Sequence, residues 1–347
     1  MRFFRFGTLK ISRLAVAPVV IGVLAFGSFG VLSAEEGEGD SGGDRPEWVT
    51  SIAPLGDDGR FVASSADGLL LREASVYRLD AASPSHFEKL YDHPAAVWRV
   101  VSLDAGNRVA SVDYRGNLVI YDVESGQPTM YEQALRRWCQ ALIVSPDGDR
   151  LVAGNEAGEV LVWDLETSEV IASAELGDHA VTALAFHPAG DRLAASDGGG
   201  QVHLLSWPDL ESSGKIAISE DTAWCVAFVD DGQSLLVGSA DRQLYRAPAE
   251  PDAEAEAILK AGDWVTQIAI SPAGEVAVAE IGGKIRFPAM ADDPPLEADS
   301  GIWSLAWNGS GQLLVGTRKH GVVSAGRAWK WLPPETTDPE TTDDDGQ

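Results

Sequence analysis

The sequence holds only two cysteines, Cys139 and Cys225, too few for a disulfide framework or a cysteine-rich zinc site. Basic residues are also scarce: 26 Lys and Arg stand against 53 Asp and Glu, a formal net charge of -27. Such a surface repels nucleic acid and anionic headgroups, which excludes general nucleic-acid binding, and it favours solubility. Catalytic signatures are thin. There is no GxxxxGK phosphate loop and no HExxH zinc pair, and the six histidines lack metal-ligand spacing, so neither metal nor cofactor is expected. GDSGG at 39–43 resembles the setting of a protease nucleophile. It lies in a spacer of glycine and acid with no histidine before His86, and so lacks the base that chemistry requires.

Amphipathic helices are absent too, and one long apolar run stands out. MRFFRFGTLKISR is basic, and residues 14–34 follow without a charge. About 20 apolar residues span a bilayer, whereas a cleaved signal has a core of about 7 to 15. Residues 1–34 are thus expected to be a signal peptide or an N-terminal membrane anchor, with the basic flank inside and the remainder exported. An acidic flexible linker over 35–47 and a disordered acidic tail over 333–347 are read from composition alone.

What is present in abundance is repetition. Turn glycines Gly106, Gly148, Gly190, Gly232 and Gly274 recur every 42 residues, with Gly59 47 before the series and Gly311 37 after it. Each unit has the same order, shown by VTALAF, a glycine turn, DRLAAS, a tight turn, a third strand such as GEVLVWDLET, and a weaker fourth such as GKIAISE. Period-2 alternation in four short strands, repeated at about 40 to 45 residues, is a propeller signature. Residues 48–332 are therefore predicted to be all-β: a monomeric seven-bladed propeller of four-stranded antiparallel blades. ADGLLLREA enlarges a turn of the first unit, and a whole repeat separates the cysteines, so both read as buried thiols.

LVAGNEAGEVLVWDLETSE, ending in Trp163 and Asp164, resembles the WD40 family, and Tyr121-Asp122 and Leu79-Asp80 stand at the equivalent places. The resemblance implies a protein-interaction scaffold. It also implies a buried His, Ser or Thr, Asp and Trp set in each blade, of which the sequence shows only pieces: His179, Ser65 with Asp67, Ser239 with Asp241, and Trp163.

Six tryptophans recur near the start of the innermost strand. Counted from the turn glycines, with one extra residue allowed in the first unit's turn, Trp48, Trp138 and Trp264 share one position, and Trp98, Trp224 and Trp303 share the position two residues later. Residues i and i+2 of a strand point the same way, so all six should face alike, either packed between blades or lining the channel mouth as a recognition surface. The fourth unit has Ala180 and Thr182 there, preceded by His179. A polar rim is expected on the same face from Ser65, Asp113, Asn155, Asp197, Ser239, Glu280 and Thr317, as ligand-orienting groups or as turn residues bonded to their own backbone. Arg318 and Lys319 add a basic spot suited to a carboxylate. The expectation is a non-catalytic binding module for a protein or peptide, with the tryptophans, His179, Asp113, Asp197, Glu280, Arg318 and Lys319 as its surface. An exported propeller hydrolase or lactonase with an acid-lined channel, or a glycan or small-molecule binder, is the alternative.

Overall fold

A computed structural model describes residues 46–325 apart from 69, 291 and 292. The expected leader over 1–34, all but the last two residues of the linker, and the tail over 333–347 lie outside the described residues.

Seven separate antiparallel sheets follow one another along the chain, over 48–93, 97–131, 139–175, 181–217, 223–260, 265–297 and 302–325. In each, sequence order equals spatial order, from the inner strand to the outer one. Six have four strands, and the seventh shows three among the described residues. The fourth blade matches its sequence pattern: VTALAF forms Val181–Phe186 and RLAASD forms Arg192–Asp197, joined around Gly190 at φ 74. That left-handed turn is where glycine has no Cβ penalty, and the series Gly106, Gly148, Gly232 and Gly274 repeats it with φ between 81 and 98. The enlarged turn of blade 1 falls between Arg60–Ala66 and Ala74–Asp80.

Stability resides between blades. Each of the seven interfaces has its own apolar cluster: Val202, Leu204, Phe228 and Val237 fill the one between blades 4 and 5, for example. The ring closes the same way, with Val49, Ile52 and Phe61 of blade 1 packed on Ala306, Leu314 and Val322 of blade 7. Across that seam Gly321 N–H donates to Glu47 O at 2.9 Å and Ile52 N–H to Ser304 Oγ at 2.9 Å. A closed ring of such interfaces leaves no inner edge free to pair with another chain.

Glycine on the second strand lets the next blade approach. A Cβ at Gly154 would sit 2.3 Å from Val181 Cγ1, and one at Gly238 2.4 Å from Val265 Cγ1. Both cysteines are buried and free; burial pushes the Cys225 thiol up to about 12 and raises that of Cys139 further.

Candidate functional site

Every inner strand carries a β-bulge near its start. The register slips by one between Val97 and Arg99, between Val181 and Ala183, between Ala223 and Cys225, and at the matching point of the other four blades. The extra residues are Thr50, Trp98, Gln140, Thr182, Trp224, Thr266 and Trp303. Trp48, Trp138 and Trp264 stand two residues before a bulge, and where the bulge itself holds Trp that earlier position is Ala96, Thr222 or Gly301. Large and small residues thus trade places from blade to blade, and blade 4 is small at both positions with Ala180 and Thr182.

The rings converge on one another. Trp48 meets Trp98 edge to face with centroids 6.0 Å apart and an interplanar angle of 88°, and it lies 5.4 Å from Trp303. Trp98 also lies 5.2 Å from Trp138 and 5.8 Å from Trp303. The last contact joins blade 2 to blade 7 over the intervening blade 1, which requires the indoles to lean in over the channel axis. Trp224 and Trp264 stack 6.0 Å apart as a separate pair. Neither expectation describes this alone: Trp48 and Trp98 are buried, Trp138, Trp224 and Trp303 half-buried, and Trp264 is 37% exposed. The indole N–H groups of Trp48, Trp98, Trp138 and Trp224 have no hydrogen-bond partner among the described residues. An unmet buried donor costs about 1 to 3 kcal/mol; edge-to-face packing of the Trp48–Trp98 kind recovers part of it on the negative ring face.

Beside this cluster lies a cleft of about 500 Å³ lined by Trp48, Glu47, Glu73, Lys89, Arg318 and Lys319. The Arg318 guanidinium sits 5.1 Å above the Trp48 ring, a cation–π contact that fixes one cation at the edge of the aromatic surface. His179 is exposed at blade 4, against Gly199.

The polar rim needs correction. Asp113, Asp197 and Glu280 are 0%, 5% and 1% exposed and present no acid to an open face. Asp113 accepts the N–H groups of Arg115 at 2.8 Å and Asn117 at 3.0 Å, and Asp197 those of Gly199 at 2.9 Å and Gln201 at 3.0 Å. Asn155 serves its own turn in the same way. Glu280 accepts from Gly262 and Asp263 N–H at 2.9 Å each and from Arg286 Nε at 2.5 Å. Asp113, Asn155 and Asp197 are turn braces because the tight turn after the second strand leaves N–H groups that a short acceptor can reach, whereas the longer Glu280 braces the segment that leads into the inner strand of its blade. Burial opposes ionisation of Asp197, yet the bonds from His203 and these backbone N–H groups outweigh it and hold its carboxyl below the usual range.

One polar set escaped the sequence. His93 Nε2 lies 2.8 Å from Ser111 Oγ, and His93 Nδ1 lies 3.3 Å from Asp113 Oδ2. Tyr91 Oη reaches the same Ser111 Oγ at 2.9 Å. His93 ends the outer strand of blade 1 while Ser111 and Asp113 belong to blade 2, so a search unit by unit divides the set. Its Ser-His-Asp order invites a catalytic reading, but Ser111 is 0% exposed and no substrate reaches it.

The family model for the WD domain, G-beta repeat, matches residues 172–204 and 215–245, which carry most of blades 4 and 5. The chain is a WD40-repeat propeller. No curated protein is similar enough to match it. WD40 propellers are in general non-catalytic scaffolds that bind protein partners, and the buried His93, Ser111 and Asp113 act here as a structural brace between blades 1 and 2.

Proposed function

We propose that this WD40 propeller is an exported protein-binding module whose partner docks on the tryptophan-covered channel mouth and the adjoining Arg318 and Lys319 cleft. Residues 1–34 direct export and either remain as the anchor or are removed, and residues 35–47 hold the propeller clear of the membrane. The reading is carried by the inward convergence of rings from non-adjacent blades, Trp98 on Trp303 at 5.8 Å, together with the separate Trp224 pair, whose Trp264 stays 37% exposed. Large aromatic side chains gathered at an accessible surface are what interface hot spots are made of. The expected rim acids play no part in this reading.

The test is crosslinked capture in the source cells with the full chain, beside a Trp224→Ala, Trp264→Ala, Arg318→Ala variant whose melting temperature is checked first. A protein captured by the native chain and lost with the variant supports the module; equal capture by both places binding elsewhere on the disc. Protease added to cells whose outer envelope has been opened with the cytoplasmic membrane left whole reads location separately, and a propeller left uncut while cytoplasmic controls are also protected, but cut on full lysis, refutes export.

A further inference from the structure

Arg99 occupies, in blade 2, the position immediately after the bulge, where the other blades carry Ser51, Ala141, Ala183, Cys225, Gln267 and Ser304. The serines there meet the adjoining inner strand: Ser304 Oγ accepts Ile52 N–H at 2.9 Å and Ser51 Oγ accepts Val100 N–H at 3.4 Å. This row therefore packs where neighbouring inner strands meet, and Ala141 and Cys225 within it belong to the inter-blade cores. Arginine is longer than any other side chain of this row and stays half-buried rather than joining the core. Its single hydrogen bond among the described residues runs from Nη1 to Trp98 O at 3.4 Å, the long limit for such a bond. A guanidinium has five N–H donors, and no described carboxylate pairs with this one. The side chain is half-buried, and burial pulls its pKa down to about 10, which leaves it charged at neutral pH.

We propose that the Arg99 guanidinium is the receptor for a carboxylate carried by the protein partner and delivered at the channel mouth. The inference rests on the binding reading above and specifies its chemistry. The Arg99 fork offers only donors, which selects an acceptor-rich ligand. One half-buried cation is neutralised by one negative charge; a doubly charged phosphate would leave an uncompensated charge inside a protein already at -27. A carboxylate also matches the planar guanidinium through two parallel hydrogen bonds. Blade 4 supplies the approach, because Ala180 and Thr182 leave no indole between Trp138 of blade 3 and Trp224 of blade 5.

The full chain is titrated with N-acetyl-leucine and with N-acetyl-leucinamide, following tryptophan fluorescence and binding heat. The acid is expected to bind saturably and the amide at least about tenfold more weakly, since the charged, bidentate bond is lost. Arg99→Gln should remove the preference for the acid, and Arg99→Lys, which keeps the charge without the fork, should retain part of it. Equal binding of acid and amide by the native chain, or no saturable binding of either, overturns the proposal without needing any variant to fold. A folded Arg99→Gln protein that still prefers the acid also overturns it. A tert-butyl ester of the acid separates charge recognition from apolar contact, and binding as tight as the acid counts against Arg99. Should these probes fail while partner capture still depends on the mouth tryptophans, the carboxylate receptor falls and the binding module stands.

Discussion

Blades 4 and 2 use the same bulge for opposite ends. In blade 4 the bulged residue is Thr182, whose hydroxyl meets Ser196 Oγ at 2.9 Å and donates to Ala223 O at the head of blade 5. Thr50 in blade 1 repeats this, with Ser64 Oγ at 2.9 Å and Val97 O of blade 2. In blade 2 the bulged residue is Trp98, which makes no such stitch and lies against three other indoles. The residue facing the bulge on the second strand decides which is available: Ser64 and Ser196 beside the threonines, Val112 beside Trp98, Gly238 beside Trp224 and Gly316 beside Trp303. A small or apolar neighbour frees the bulge to carry an aromatic ring toward the axis. The ring is thus held by polar stitches at some seams and relinquishes them at others to build a surface.

The largest expected effect removes the aromatic side of that contrast. Trp98→Ala should lower unfolding free energy by about 3 to 5 kcal/mol in urea melts, because a buried indole in contact with three others leaves a cavity. Trp264→Ala, at a ring that is 37% exposed, should stay within about 0.5 kcal/mol of the native chain. Equal losses at the two sites would show the tryptophans to be uniform core residues and would end the distinction drawn here.

Much of this organisation was legible. The 42-residue glycine spacing gave the blade count because each turn needs a positive φ, and strand alternation gave the order within blades. The tryptophan positions were visible, but the bulge that separates Trp48 from Trp98 in role was not, since a bulge leaves no mark in a period-2 pattern. The rim acids could be read from sequence as ligands or as turn braces, and their N–H partners mark Asp113 and Asp197 as braces. The His93, Ser111 and Asp113 set was hidden by the division into units. Arg99 carried one overlooked signal, a long cation in a row otherwise filled by residues no longer than Gln267.

A smaller effect sharpens the polar side. Thr266 is the bulged residue of blade 6, but it faces Ala279 where Thr182 faces Ser196, and its buried hydroxyl has no partner among the described residues. Thr182→Val should cost about 1 to 3 kcal/mol by leaving buried groups unpaired, while Thr266→Val, which deletes an unmet hydroxyl at nearly constant volume, should be neutral or stabilising. Paired thermal melts decide it. If both substitutions cost the same, the stitch contributes nothing beyond the shape of the side chain.

The smallest effect concerns the brace that blades 3 and 4 build differently, with Asn155 in one and Asp197 in the other. Both accept two backbone N–H groups, but Asp197 Oδ2 also takes His203 Nε2 at 2.8 Å. Its folded-state pKa is depressed, so ionised Asp197 stabilises the fold above the unfolded carboxyl pKa of about 3.9, and that contribution is lost as pH falls through the lower folded value. Asp197→Asn keeps the turn acceptor, as Asn155 shows, and should cost about 1 kcal/mol at neutral pH through the weakened bond to His203. The gap between the two proteins should then narrow in urea melts as pH drops below about 4, because acid removes from the native chain what the substitution has already removed from the variant. A gap that is constant across that range would mean that the hydrogen bond matters for its geometry and not for its charge, and blade 4 would then be braced as neutrally as blade 3.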